Sequence, residues 1–168
     1  GIMTDTGCFS YNSSNPGTFE AISHLLQKGI HKDEIYGKVY DNYSYQRMRL
    51  LGHSLKDKME FFPGHRTGII SLTDKELQQF DFNIGDTEGF VNYPLTIKGV
   101  VFSALFIEKK DMVKISFRSK GTFPVNTFAM EHFNGGGHLN AAGGESKESL
   151  AKVLNRFKSL LDEYRDEL

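Results

Sequence analysis

The chain has 168 residues, 39% of them hydrophobic and 14 of them phenylalanine, enough to build a core of domain size. A formal net charge of -1 excludes a polycation that coats long nucleic acids, so any anionic ligand has to be held locally. The single cysteine, Cys8, excludes an internal disulfide and a cysteine-built zinc cluster, and fits a cytoplasmic protein; no apolar run is long enough to span a membrane, so no membrane partner is expected.

Gly1-Ile2-Met3 carries no initiator methionine and reads as the tail of a strand, so the chain is expected to be a fragment of a longer protein. Asp5 then stands between Thr4 and Thr6, ahead of Gly7. A carboxylate at a strand's C-terminal edge is where α/β sheets place ligands, although an Asx-type turn accounts for the same residues. A helix follows, capped by Thr18, with Phe19, Ile22, Leu25 and Leu26 as its apolar stripe and Gly29 as its stop. A second helix is predicted from Lys32 to Asp41, and a third from Ser44 with Met48, Leu51, Leu55 and Met59 at helical spacing. His24, His31 and His53 lack metal-ligand spacing and read as surface or core histidines.

The rhythm changes near 53–58, where a domain boundary or linker is placed, and a hairpin is predicted around Pro63-Gly64. Thr73-Asp74-Lys75-Glu76 is a capping-box pattern opening a short helix. Asp86 to Val91 reads as a further helical turn, ending at Asn92-Tyr93-Pro94. Gly99 to Ile107 is a near-continuous apolar run, as in a central strand. Lys109-Lys110-Asp111 turns the chain into a second strand with Val113, Ile115 and Phe117 on one face. Arg118 and Ser119 end that strand; a guanidinium fork beside a hydroxyl can clamp a phosphate or carboxylate. A helix from Pro124 to Phe133 leads into Gly135-Gly136-Gly137-His138. A short strand at Ala141 to Gly143 and an amphipathic helix from Glu148 to Tyr164 complete the chain.

Five glycines within ten positions, from Gly135 to Gly144, carry a large entropic cost to order. Such a run lets backbone N–H groups approach an anion closely, with His138 as an added donor. A glycine-rich turn between packed elements explains the run equally well.

The motifs occur in one order: Thr4-Asp5-Thr6-Gly7-Cys8-Phe9, Glu88-Gly89-Phe90-Val91-Asn92-Tyr93-Pro94, Val113 to Lys120, then Gly135-Gly136-Gly137-His138 with Asn140-Ala141-Ala142-Gly143-Gly144. Together they resemble the C-terminal half of a DHH-family phosphoesterase with a DHH-associated domain, and the likeness covers essentially the whole chain. It implies an α/β fold: the C-terminal remnant of a parallel-sheet domain over residues 1–57, then a smaller mixed-sheet α/β domain over 58–168.

The resemblance also implies roles. Asp5 matches the last metal-ligand aspartate of a centre holding two divalent ions. Arg118 and Ser119 match a pair that contacts the nucleic-acid phosphate or nucleotide, and Gly135, Gly136, Gly137 and His138 match a loop gripping the substrate beside the metals, with His138 in the catalytic role. Carboxylates and histidines suit Mn²⁺, and two such ions can activate water and stabilise both attacking and leaving oxygens. The substrate implied is a short RNA or phosphorylated nucleotide, adenosine 3′,5′-bisphosphate included, and a homodimer is compatible with it. The other ligand motifs of the family do not occur in this chain, so the isolated 168 residues are expected to be inactive. Two enzymatic alternatives of the same superfamily stay open, a cyclic-dinucleotide phosphodiesterase and an exopolyphosphatase. An RNA-binding module like that appended to alanyl-tRNA synthetase is the alternative of another class.

Overall fold

In the computed structural model, which describes residues 1–10 and 13–168, the chain divides into two compact units, Gly1–Tyr43 and Ser44–Leu168. The first holds three helices among its described residues: α1 (Ile2–Asp5), α2 (Pro16–Gln27) and α3 (Lys32–Tyr40). The opening residues are a helical turn and not the expected strand end. No described strand in this unit offers Ile2 and Met3 a ladder partner, and unpaired backbone groups are costly. The threonines support the turn instead, since the Thr4 hydroxyl donates to Gly1 O at 2.8 Å and the Thr6 hydroxyl to Ile2 O at 2.7 Å. Helix α2 starts earlier than expected. Asn15, not Thr18, is its cap, its side chain accepting from Gly17 N, and Pro16 takes the first helical position. Neither α2 nor α3 buries a residue fully.

The second unit is built on a six-stranded mixed sheet, in agreement with the expected α/β class. Its elements are α4 (Tyr45–Asp57), β1 (Met59–Phe62), β2 (Thr67–Leu72), α5 (Asp74–Gln79), β3 (Phe102–Lys109), β4 (Met112–Ser119), α6 (Val125–His132), β5 (Gly136–His138), β6 (Ala141–Ser146) and α7 (Leu150–Glu163). The strand order is β1-β2-β3-β4-β6-β5, with only β2 and β3 parallel. Helix α4 falls within this unit, and its Leu50 and Leu51 pack with Ile70, Leu72, Leu105 and Ile107 of the sheet. The capping box at α5 forms as read: the Thr73 side chain accepts from Glu76 N, and the Glu76 carboxylate accepts from Thr73 N.

Alternation along the strands divides the core in two. Ile69, Phe102, Ala104, Phe106, Val113, Ile115 and Phe117 face α6 and α7, where Phe128 and Phe157 meet the rings of Phe102 and Phe117. The opposite face is only half covered. Over β2 and β3 it is sealed by α4, α5 and a 3₁₀ turn at Phe90–Asn92. Over β4, β6 and β5 the hydrophobic cover stops, and the same face presents Lys114, Ser116, Arg118, Ala141, Gly143 and Glu145, none of them buried.

Candidate phosphate-binding face

The open half-face owes its geometry to the hairpin made by β5 and β6. The glycine run was expected as a loop; three of its residues, Gly136–His138, form an edge strand, with Leu139 and Asn140 as a two-residue connection to β6. The glycines have separable causes. A Cβ on Gly135 would lie 2.0 Å from Gly143 O, one on Gly144 2.6 Å from Phe133 O, and one on Gly137, at φ +149, 2.5 Å from Ala141 O. These three let backbone pack directly on backbone. Gly136 differs: its φ is ordinary and a Cβ there would meet nothing within 4 Å. Nothing among the described residues requires a glycine at that position, which is exposed at the edge of the sheet.

Register fixes what lies beside it. His138 pairs with Ala141, Ala141's neighbour on the other side is Arg118, and Arg118 pairs in turn with Ser103. Directly opposed residues project to the same face, so His138, Ala141 and Arg118 form one row on the open side. Ser103 ends the row under the 3₁₀ turn, donating its hydroxyl to Val91 O. Strand spacing puts the Cα atoms of His138 and Arg118 about 10 Å apart. Between them Ala141 contributes only a methyl group, which leaves space for a ligand over the middle of the row. His138 is exposed, and its ring has no hydrogen-bond partner among the described residues. Arg118 is half-buried and donates from Nη1 to Phe117 O at 2.8 Å, which holds its guanidinium against the sheet.

The predicted site residues therefore do not act alike. Gly136, Gly137, His138 and Arg118 lie together on the edge strand and its row, while Gly135 serves the packing of the hairpin. Ser119 is buried; its hydroxyl donates to Phe123 O at 2.7 Å and accepts from Asn140 Nδ2 at 2.8 Å. Asn140 also donates to Gly121 O at 3.0 Å. Ser119 and Asn140 thus lock the end of β4 to the hairpin turn, which sets the position of Arg118 relative to His138. Sequence reading named Ser119 for phosphate contact and did not give Asn140 or Ala141 a role of their own. The signal for Asn140 was a polar side chain within a tight turn between two short β segments.

Asp5 belongs to the first unit, where it is exposed at the end of α1. The described residues contain no group of three or more histidines, cysteines, aspartates or glutamates able to hold a metal ion. The described residues alone do not fit a two-ion centre, Asp5 bringing a single carboxylate. Among the described residues no helix is long and apolar enough to cross a membrane.

The mixed sheet carries a glycine-rich edge hairpin with an arginine in the same row as its histidine, and residues 69–167 match the DHHA1 domain; the chain belongs to that family. Over its whole length it is 28% identical to the bifunctional oligoribonuclease and PAP phosphatase NrnA of Thermus thermophilus, across 49% of that protein. It is 31% identical to the probable counterpart from Streptococcus mutans, covering 96% of this chain and 51% of that one. The chain thus spans about half the length of the curated relatives it matches, their C-terminal half. A crystal structure of an exopolyphosphatase-related protein from Bacteroides fragilis superimposes with a TM-score of 0.96 at 49% identity, over 99% of this chain and 48% of that one. A pGpG-specific phosphodiesterase from Vibrio shares the fold at a TM-score of 0.55 and 14% identity. The relatives named as oligoribonucleases and PAP phosphatases are hydrolytic phosphoesterases.

Proposed function

We propose that this chain is the substrate-binding part of a metal-dependent phosphoesterase that releases mononucleotides from an end of short oligoribonucleotides and removes phosphate from adenosine 3′,5′-bisphosphate. The observation that carries the reading is the row His138–Ala141–Arg118 on an uncovered sheet face, beside a glycine whose bareness nothing among the described residues requires. A phosphate over Ala141 would be met from one side by a guanidinium, whose fork suits two phosphate oxygens, and from the other by an imidazole donor. Outward N–H groups of an edge strand add donors. Charge developing on non-bridging oxygens would be stabilised by these same groups. The metal chemistry is expected from two divalent ions, Mn²⁺ preferred, with Asp5 as one ligand. The net charge of -1 fits a ligand of few phosphates.

The test is a substrate panel of short RNA, adenosine 3′,5′-bisphosphate, cyclic di-AMP and polyphosphate, offered with and without Mn²⁺ to a protein of the relatives' full length carrying these residues. The first two should be hydrolysed in an ion-dependent manner, and the isolated 168-residue chain should hydrolyse none. Asp5→Ala should lose activity with bound metal, and His138→Ala should lose turnover or affinity with metal content unchanged. Metal-dependent RNA hydrolysis by the isolated chain would refute the assignment. A second reading, polyphosphate as substrate, is favoured by the 49% identity to the exopolyphosphatase-related protein, and turnover of polyphosphate alone would select it.

A further inference from the structure

Between α6 and the edge strand the chain passes through Asn134 and Gly135, and Asn134 is the one asparagine in the sequence that is followed by glycine. Asn134 is exposed and has φ +47, in the left-handed region that asparagine enters more readily than most residues. Its side chain has no hydrogen-bond partner among the described residues. The Asn140 side chain, by contrast, is held by Ser119 Oγ and Gly121 O. Gly135 has no Cβ to screen its amide nitrogen from the neighbouring side-chain carbonyl. That N–H donates to Ala129 O at 3.1 Å, but Ala129 O also accepts from Phe133 N at 2.9 Å. Release of the Gly135 amide therefore leaves the carbonyl bonded. Gly135 itself is only half-buried, so water can take the freed N–H, and local opening of this turn is cheap.

We propose that Asn134–Gly135 is a self-modification site, at which the asparagine amide converts to an acid and the isoaspartyl product unseats the edge strand. The Gly135 nitrogen gives its proton to water or a buffer base and attacks Asn134 Cγ. A bond from that nitrogen to Cγ forms, the Cγ–Nδ2 bond breaks, and the amide nitrogen leaves as ammonia with a proton returned from solvent. Water then opens the cyclic imide. Opening at Cγ yields aspartate. Opening at the main-chain carbonyl yields isoaspartate, whose backbone runs through Cβ and Cγ and is longer by a carbon. The fold has no slack for that carbon. On one side of Asn134, Phe133 O is fixed by Glu145 N at 2.8 Å. On the other, a substituent on Gly135 would already stand 2.0 Å from Gly143 O. The longer backbone must displace Gly135, and Gly136–His138 with it. The turn thereby limits the working life of the edge strand. Only the consequence for nucleotide affinity rests on the phosphate reading of the His138–Ala141–Arg118 row.

The experiment ages the folded 168-residue chain in mildly alkaline buffer beside Asn134→Gly and Asn134→Asp. Peptide mass mapping with isoaspartyl quantification, amide NMR and titration with adenosine 5′-monophosphate follow each sample. Acid conversion should concentrate in the peptide holding Asn134 and Gly135, with isoaspartate as the main product. It should vanish there in Asn134→Gly, which keeps the turn because glycine accepts the same φ. In the isoaspartyl fraction the amides of Gly135, Gly136, Gly137 and His138 should move while those of β2 and β3 stay, and nucleotide affinity should fall about tenfold. Asn134→Asp carries the charge without the longer backbone and should hold affinity within about threefold. Conversion no faster at Asn134 than at the other asparagines, or an isoaspartyl fraction with unmoved edge amides, would overturn the proposal. Fresh chain that binds no nucleotide, while aged chain shows both the conversion and the edge shifts, would overturn the phosphate row and leave the modification site standing.

Discussion

His138 and Arg118 stand at the two ends of one row across β5, β6 and β4, and the only side chain between them is the methyl group of Ala141. That spacing makes the middle position the sensitive one. Ala141→Glu would set a carboxylate where the phosphate is expected, and affinity for adenosine 5′-monophosphate should fall more than tenfold by calorimetry. Arg118→Lys should recover little of what Arg118→Ala loses, because an ammonium lacks the planar fork. His138→Ala should leave stability within about 0.5 kcal/mol of wild type, since the ring is exposed and unbonded within the described residues.

Ser119 should behave in the opposite way. Its buried hydroxyl joins Phe123 O and Asn140 Nδ2, so Ser119→Ala takes one hydrogen bond from each partner. Urea denaturation should show a loss of about 1–3 kcal/mol. A double-mutant cycle with Asn140→Ala should give a clear coupling energy, as for any two groups sharing one hydrogen bond. A Ser119→Ala protein of full stability but no phosphate affinity would show that the hydroxyl meets the ligand directly.

The glycines should separate by substitution with alanine. Gly135→Ala and Gly144→Ala drive a methyl group into backbone atoms at 2.0 and 2.6 Å, and each should destabilise the hairpin by about 1–3 kcal/mol or more. Gly136→Ala has room and an ordinary φ, so its unfolding midpoint should barely move while ligand affinity drops. If Gly136→Ala changed neither, the open glycine would have no ligand to serve.

Glu76 makes stability depend on acid. Burial raises its pKa, but hydrogen bonds from the Thr73 backbone and hydroxyl, Lys58 and His53 outweigh it and bring the value down to about 2. A carboxylate with a depressed folded pKa stabilises above its unfolded pKa and loses that contribution as protons bind the native form. The contribution of Glu76 should be complete above about pH 4.5 and disappear towards pH 2. Melting curves of wild type against Glu76→Gln should converge over that interval and stay apart above it.

Much of this fold was legible because local signals agreed with one another. The Thr73–Glu76 box, the Pro63-Gly64 hairpin and the alternation in β4 each have a short-range cause, and all three formed. The start of the chain was misread because strand and helical turn differ by what lies beside them, not by the identities of Ile2, Met3 and Thr4. The edge strand at Gly136–His138 was missed because glycine has low β propensity, and only backbone packing against Gly143 and Ala142 makes it a strand. The proximity of Arg118 and His138 depends on register across three strands, which motif order alone did not supply. The same register separates Ser119 from them, by turning its hydroxyl into the β4 terminus.

The most direct test of the account is a crystal structure of this chain with adenosine 5′-monophosphate. The phosphate should sit over Ala141, within hydrogen-bond distance of the Arg118 guanidinium and the His138 ring. A nucleotide bound with its phosphate away from that row, touching neither side chain, would contradict the account.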